Sequence, residues 1–140
     1  MLRAVVDPGV LIAGLISPVG APTSILRAWV DGLVELVVCP WLIDELRRAL
    51  GYPKVAARVP SAVASGLVDA LERAAIVLPD PSDVPPVCRD PGDDYLFALA
   101  REAQGVLVSG DADVLAVVSP PVRVLSPRAF GDLLSRLTTD

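Results

Sequence analysis

The stretch "RAVVDPGVLIAGLI" (residues 3–16) decides the fold, because an apolar run ends on a carboxylate and a second apolar run follows directly. Residues 2–6 are typical of a short buried strand, and residues 10–16 are predicted to form a helix. Asp7 separates the two, with Pro and Gly immediately after it. Two explanations are open for Asp7: it caps a helix, or it serves a ligand at the end of the strand.

Strand and helix patterns alternate along the rest of the chain. Strands are predicted at 34–39, 75–79, 105–110 and 122–125. Helices are predicted at 21–32, 40–50, 61–74, 94–103, 111–117 and 127–137, and a Pro- and Asp-rich loop at 80–93. This spacing predicts one α/β domain over residues 1–140, a three-layer α/β/α fold with a mostly parallel central sheet. Ligands of such sheets bind outside the carboxyl ends of the strands.

The composition excludes several classes of enzyme. Hydrophobic residues make up 53 % of the chain and aromatic residues 4 %, so the core must be aliphatic, which suits strands covered on both faces. The chain has no histidine, which excludes Ser-His-Asp triads, Cys-His pairs and His-based RNA cleavage. The net charge of −5 argues against nonspecific coating of DNA. A local groove lined by some of the eleven arginines stays open.

Two further features concern the cellular compartment. No apolar run reaches the roughly 18 residues that span a bilayer, and the amino terminus makes a poor signal peptide. We therefore expect a cytoplasmic protein. Cys39 and Cys88 lie far apart and lack the spacing of zinc ligands, so we expect small buried hydrophobic residues rather than a disulfide or a metal site.

Asp111 repeats the pattern of Asp7 at the end of another predicted strand. It directly follows "VLVSG" (106–110), and Asp113 comes two residues later. A helix cap explains Asp111 as well as it explains Asp7. The alternative is that both acids lie at the edge of the sheet where ligands bind.

Acidic residues also occur in two predicted helices and in the loop. Glu45 lies at the margin of the apolar stripe of helix 40–50, where it either pairs with a neighbouring Arg or points into a cleft. Asp93 and Asp94 open a helix that is apolar over most of its circumference, where the helix dipole favours acids in any case. Asp90 is interpreted as ordinary loop chemistry.

Convergence of four such acids has an electrostatic consequence. Two carboxylates about 5 Å apart repel by roughly 3 kcal/mol at an effective dielectric near 20. A full cluster of four would cost on the order of 15–20 kcal/mol, which exceeds the roughly 5–15 kcal/mol of a domain's stability. Such acids must stay protonated, stay apart, or hold a divalent cation. Ligands that are all oxygen favour Mg²⁺ or Mn²⁺.

At these residues the chain resembles the PIN-domain family, especially the small prokaryotic toxins of VapC type. The similarity is carried by "VVDPGVLIAGLISPVGAPTSILRAW" (5–29), "ELVVCPWLIDELRRAL" (35–50), "RDPGDDYLFALAREAQGVLVSGDADVL" (89–115) and "VRVLSPRAF" (122–130). The family pattern implies four catalytic acids at Asp7, Glu45, Asp94 and Asp111. It implies metal binding by Asp7, Asp94, Asp111 and Asp113, with accessory residues at Asp93 and Ser109.

The resemblance implies hydrolysis of RNA phosphodiester bonds with Mg²⁺ or Mn²⁺. Because the chain has no histidine, the metal would carry the acid–base chemistry. Arg47, Arg48 and Arg89 are candidates for attracting the RNA backbone. The resemblance further implies the toxin component of a toxin–antitoxin pair, a homodimer, and an antitoxin protein bound through a helix.

One departure from the family pattern leaves a second class of function open. PIN domains usually continue the first acid as Asp-Thr/Ser-Asn, whereas this chain has Asp7, Pro8 and Gly9. A hydroxyl and an amide that would orient the acids are missing, and Pro8 also removes a backbone donor. Ser109 keeps the small hydroxyl before "GD". The alternative is a catalytically weakened or inactive PIN fold used for binding.

Two other families that place an acid after the first strand are disfavoured. A haloacid-dehalogenase-like phosphatase needs a second acid two residues after Asp7, where this chain has Gly9. A phospho-acceptor receiver needs a lysine late in the sheet, and the only lysine is Lys54.

Overall fold

A sheet of five parallel strands forms the centre of the computed structural model, which describes residues 1–138. The strands are β1 (Arg3–Val6), β2 (Glu35–Val38), β3 (Ile76–Val77), β4 (Val106–Val108) and β5 (Val124–Leu125). Their order across the sheet is β3-β2-β1-β4-β5, and every neighbouring pair is parallel. The predicted sheet is confirmed, with strands shorter than the apolar runs that predicted them.

The helices follow the strands in the predicted alternation. They are α1 (Pro8–Ile16), α2 (Ala21–Val30), α3 (Pro40–Leu50), α4 (Pro53–Ala56), α5 (Ser61–Ala74), α6 (Asp94–Ala103), α7 (Ala112–Leu115) and α8 (Pro127–Thr138). A 3₁₀ turn, Pro91–Asp93, precedes α6. Helix α1 begins two residues before its predicted start because Asp7 caps it and Pro8 suits its first turn. The short helix α4 was not predicted.

The helices cover both faces of the sheet. Helix α6 packs on β1, β2 and β4, whereas α1, α2, α3, α5 and α8 contact one another in a connected group. The chain moves in one direction across the sheet from β1 to β2 to β3, and it moves in the opposite direction when α6 connects β3 to β4. Right-handed crossovers in opposite directions place their helices on opposite faces of the sheet. The predicted three-layer α/β/α fold is confirmed.

Aliphatic packing and two close backbone approaches hold these layers together. All of Ala4–Val6 and Val106–Val108 are buried. At Gly105, a Cβ atom would lie 2.6 Å from the carbonyl oxygen of Arg3, so β4 could not begin beside β1 with a larger residue. At Gly14, a Cβ atom would lie 2.6 Å from Cδ1 of Leu26, so this glycine lets α1 and α2 pack closely.

The topology gathers helix amino termini at one edge of the sheet. A helix that links two parallel strands runs antiparallel to them, so it begins at the edge where the strands end. Helices α1, α3, α6 and α7 therefore begin near the carboxyl ends of the strands. The partial positive charge of a helix amino terminus favours acidic side chains there. This edge contains most of the acids that the sequence singled out.

Two smaller expectations have mixed outcomes. Cys39 is buried, as predicted, whereas Cys88 is only partly buried; both thiols are free. Burial raises the pKa of Cys39 to about 11. Over residues 1–138, no single helix is long and apolar enough to cross a membrane. Helices α1 and α2 pass that test only as a pair, bent by 96° between them.

Candidate active site

The pairing of β1 with β4 brings Asp7 to Ser109. Val6 is in register with Val108, and the backbone N–H of Asp7 donates to the carbonyl of Val108 at 2.9 Å. The next residue of each strand continues this contact, because the Ser109 hydroxyl donates to Oδ2 of Asp7 at 2.8 Å. Oδ1 of Asp7 accepts from the N–H of Gly9 at 3.1 Å, which caps α1. Asp7 therefore caps α1 and also lies at the carboxyl end of β1, in contact with the end of β4.

Ser109 also holds the second strand-end acid. Its hydroxyl oxygen accepts from the N–H of Asp111 at 3.0 Å, and the side chain is fully buried. Oδ1 of Asp111 accepts from the N–H of Asp113 at 2.8 Å and caps α7. One buried hydroxyl thus connects the two acids that follow β1 and β4.

These contacts bear on the missing Thr/Ser-Asn pair after Asp7. The orienting hydroxyl comes from Ser109 on the neighbouring strand, and a backbone N–H comes from Gly9. Both oxygens of Asp7 therefore have donors without the residues that usually follow this acid. Pro8 is buried at the first position of α1, where its missing N–H removes no helical hydrogen bond.

Glu45 is half-buried on α3, and Tyr95 of α6 orients it. The Tyr95 hydroxyl donates to Oε2 of Glu45 at 2.8 Å. Burial raises the pKa of Glu45 above its ordinary value, and the charge of Asp7 raises it further. The Tyr95 hydrogen bond and the positive charge of Arg48 act in the opposite direction. Burial and the Glu45 charge raise the pKa of the Tyr95 hydroxyl well above its usual range.

The pKa of Asp93 is affected by the charges of four other carboxylates. Burial, together with the charges of Asp7, Asp90, Asp111 and Glu45, raises the pKa of Asp93 to about 6. We call these five residues the carboxylate cluster. Burial is the largest cause of this rise above the ordinary 3.8, and the contributions of four other acids place Asp93 in a negatively charged region that penalises its ionisation.

Asp94, the neighbour of Asp93, is placed differently. It is only 6 % exposed, and its Oδ1 accepts from the N–H groups of Val87 at 3.0 Å and Cys88 at 2.7 Å. It also lines a cavity of about 330 Å³ with Phe97 and Arg101, and neither Asp7 nor Asp111 lines this cavity. Asp94 thus fixes the loop before α6 in place.

Two residues at the site were missed by sequence reasoning. Asp90 was interpreted as loop chemistry, and its Oδ1 does accept from the N–H of Gly92 at 2.9 Å. Its charge nevertheless raises the pKa values of both Asp93 and Glu45. Tyr95 was not singled out, although a tyrosine in a buried helix needs a partner for its hydroxyl and so signals a nearby polar group.

The three predicted RNA-binding arginines have different surroundings. Arg47 forms ion pairs with Glu72 of α5 at 3.1 Å and with Asp44 at 3.8 Å. Arg48 is exposed on the same helix, and its charge acts on Glu45. Arg89 is exposed in the loop immediately before Asp90. Arg48 and Arg89 are thus the two that lie beside residues of the carboxylate cluster.

A groove of about 360 Å³ opens beside the strand-end acids. Asp7 and Asp111 line it together with small and apolar residues of α1 and its neighbours, namely Gly9, Val10, Ala13, Pro22, Gly110 and Pro127. Two residues of the carboxylate cluster, Asp7 and Asp111, are therefore open to this groove.

A family comparison identifies this arrangement. A model described as "PIN domain" matches residues 3–113, which include β1, α3, α6, β4 and the whole carboxylate cluster. The chain belongs to the PIN domain family. The resemblance drawn from the sequence is confirmed, and the family is of nuclease type.

Several individual proteins are also similar to this PIN domain. An uncharacterized protein of Methanocaldococcus jannaschii, MJ1680, is 25 % identical over 125 residues, which cover 83 % of this chain and 75 % of the relative. PAE2754 from Pyrobaculum aerophilum has the same fold, with a TM-score of 0.62 and 20 % identity over 99 % of this chain and 91 % of that one.

A further neighbour is FitAcB from Neisseria gonorrhoeae, with a TM-score of 0.56 and 16 % identity over 89 % of this chain and 98 % of that one. A structure of FitAB bound to an IR36 DNA fragment has the same TM-score and identity, over 89 % of this chain and 94 % of that one.

The carboxylate cluster has the chemistry of a site for a hard divalent cation. Its donors are all oxygen, and the charges of four neighbouring acids add to burial in raising the pKa of Asp93, so a cation would be favoured there. Among residues 1–138, no three Asp, Glu or Cys side chains are arranged to hold a metal ion as they stand. The donor type therefore fits Mg²⁺ or Mn²⁺, whereas the side chains are not preset around an ion.

Proposed function

We propose that this PIN domain is a metal-dependent endoribonuclease that hydrolyses phosphodiester bonds of RNA. The observation that carries the proposal is the convergence of five carboxylates, from four separate segments, at the ligand-binding edge of the sheet in a nuclease-type family. Gathering five negative charges at one edge of the sheet is unfavourable without a function that needs it. Holding a cation against a phosphate is such a function.

In this proposal Asp7 and Asp111 hold Mg²⁺ or Mn²⁺, and Ser109 keeps the two strand ends in position. The bound ion would lower the pKa of a water molecule and neutralise charge that grows on the phosphate. Asp93 is a third carboxylate favoured by its coupling to both strand-end acids. The family pattern assigns Asp94 and Asp113 to the metal as well, and these assignments stay predictions.

Glu45 is proposed as the proton acceptor. The Tyr95 hydroxyl fixes Oε2, which leaves Oε1 as the atom to take a proton from attacking water. The pKa of Glu45 is raised towards neutral pH, which makes its carboxylate a better general base than that of an ordinary glutamate. Arg48 and Arg89 would attract the RNA backbone towards an edge that is otherwise negative.

The test is cleavage of structured and single-stranded RNAs with Mn²⁺ or Mg²⁺. Wild type, Asp7→Asn and Asp94→Asn are compared with Asp31→Asn, a matched loss of an exposed carboxylate that follows α2 at the opposite edge of the sheet. We expect cleavage by wild type and Asp31→Asn and a large loss in Asp7→Asn. Equal rates in wild type and Asp7→Asn would contradict the proposal. A DNA arm is included because a structural neighbour is bound to a DNA fragment.

We further propose that the nuclease is a cytoplasmic toxin that acts as a homodimer and is restrained by a cognate antitoxin protein. Exposed apolar side chains at both ends of α2, namely Val19, Val30 and Leu33, support a protein-binding surface there. Light scattering of the purified chain, alone and with the product of a neighbouring small gene, tests both assemblies. A monomer that is unaffected by that product would contradict the toxin role.

The binding-module alternative gains no support from the site. It was motivated by the loss of orienting groups after Asp7, and Ser109 and Gly9 supply donors to both oxygens of that acid.

A further inference from the structure

Trp41 is an exposed aromatic residue next to the carboxylate cluster. Its side chain is 45 % exposed, although aromatic residues make up only 4 % of the chain. It lies one helical turn before Glu45 on α3, and residues four apart share one face of a helix. Position alone therefore directs Trp41 and Glu45 to the same side.

The Trp41 ring is held in place by contacts that continue to Glu45. The backbone N–H of Trp41 donates to Oδ1 of Asp80 at 2.8 Å, which fixes the start of α3. The edge-to-face contact with Tyr95 has ring centroids 6.1 Å apart and an interplanar angle of 83°. The Tyr95 hydroxyl in turn donates to Glu45. The same tyrosine thus braces the exposed ring and orients an acid of the site, which limits the entropy lost when a ligand contacts the ring.

The charge of the site determines what kind of contact would help it bind a nucleic acid. The carboxylate cluster repels phosphates, and Arg47 is already paired with Glu72. A neutral aromatic face attracts a nucleobase by stacking whatever the charge nearby, and it accepts any base. We propose that Trp41 stacks on a nucleobase of single-stranded RNA next to the phosphodiester held at the carboxylate cluster. This inference rests on the proposed nuclease function and adds a substrate contact to it.

The test uses the fluorescence of Trp41. Trp29 is the only other tryptophan, so Trp29→Phe makes Trp41 the sole reporter. A short single-stranded RNA is titrated in EDTA at low salt, and so is a set of variants that each lack one base. Stacking predicts strong quenching by the intact RNA, with weaker quenching and weaker binding by at least one abasic variant. The abasic comparison needs no change at Trp41 and so does not depend on how a variant folds.

Substitutions provide the second arm. Trp41→Ala should weaken binding of the intact RNA by about 5- to 150-fold, and Trp41→Phe should weaken it less. With Mn²⁺, Trp41→Ala should raise KM and leave kcat nearly unchanged, because the base contact is made in both the ground state and the transition state. Tyr52→Ala is the matched control. Tyr52 is an exposed aromatic residue beyond the far end of α3, and its loss should change neither quantity.

Each outcome decides between the inference and the function on which it rests. Cleavage that persists while Trp41→Ala and the abasic RNAs bind as tightly as their parents overturns the inference and leaves the nuclease standing. A blue shift of Trp41 on concentrating the protein without RNA would mean that a second copy covers the ring, which also overturns it. Failure of wild type both to bind and to cleave RNA overturns the nuclease proposal itself.

Discussion

The acids that end strands and the acids of the loop before α6 reach the same site by different means. Asp7 and Asp111 follow neighbouring strands whose register is set by the sheet, and one buried hydroxyl ties them together. Asp90, Asp93 and Asp94 lie around a 3₁₀ turn, where a step of one residue changes the direction of a side chain completely. Strand ends therefore determine positions more reliably than turns do.

The pair Asp93 and Asp94 shows this difference most clearly. Asp93 joins the carboxylate cluster and has its pKa raised to about 6, whereas Asp94 is buried under the loop and binds two backbone N–H groups. The surroundings of Asp93 disfavour its charged form, whereas those of Asp94 supply two hydrogen-bond donors to its carboxylate. Substitution of Asp93 should therefore affect mainly function, and substitution of Asp94 should affect mainly stability.

The largest expected effect is the loss of activity in Asp7→Asn, which tests the strand-end region. Removing one charged oxygen from a proposed ligand should lower metal-dependent RNA cleavage by about 100-fold or more. The unfolding free energy should change by less than about 1 kcal/mol, because Asn caps a helix as well as Asp does. Initial rates with Mn²⁺ and urea unfolding measure the two effects. A large loss of stability with full activity would reverse the roles assigned to this region.

A large loss of stability is expected in Asp94→Ala, which tests the loop region. It removes the acceptor of two charge-assisted hydrogen bonds and leaves the N–H groups of Val87 and Cys88 without it. The unfolding free energy should fall by about 3 kcal/mol. Asp94→Asn, which keeps one acceptor oxygen, should lose about half as much. If Asp94→Ala unfolds at the wild-type urea concentration, the structural role assigned to Asp94 is wrong.

Ser109→Ala should have an intermediate effect on both properties. It removes the hydroxyl that joins Asp7 to Asp111, so the unfolding free energy should fall by about 1–2 kcal/mol. Mn²⁺ affinity, measured by calorimetry, should weaken by about 10-fold because the acids lose their orientation. Ser65→Ala, an exposed serine of α5, is the matched control. Unchanged Mn²⁺ affinity would show that the two strand ends do not need this bridge.

The smallest effect is expected in Asp93→Asn and depends on pH. The folded pKa of Asp93 is about 6 and its ordinary value is 3.8, so the folded state holds the proton more tightly. Wild-type stability should therefore decrease as the pH rises from about 4 to about 6, and the penalty persists above that window. Asp93→Asn should be more stable than wild type by about 1 kcal/mol at pH 7, after allowance for solvent screening, and by almost nothing at pH 4. Urea unfolding at both pH values checks this; a stability difference that grows towards pH 4 would contradict the sign.

Much of this arrangement could be predicted from local patterns. The strands before Asp7 and Asp111 were recognisable because buried parallel strands are continuous aliphatic runs. Glu45 was recognisable because an acid at the margin of an apolar stripe is out of place. Asp90 and Trp41 carried no comparable local signal, and Tyr95 carried only the general one that a buried hydroxyl needs a partner. Their importance arises from contacts between α3, α6 and the loop, which are far apart in the sequence.

The amino-acid sequence by itself determined the layers, the parallel sheet and the edge at which the acids collect, because periodicity and strand–helix alternation are local properties that sterics and burial translate directly into topology. Only the tertiary structure decided which acid of the pair Asp93 and Asp94 faces the others and how repulsion among them is relieved. Within residues 1–138 burial and this repulsion raise the pKa values of Asp93 and Glu45, and no three of the acids are arranged to hold a metal ion. The physical reason is that electrostatic energy depends on distances between remote segments, and those distances exist only once the layers have packed.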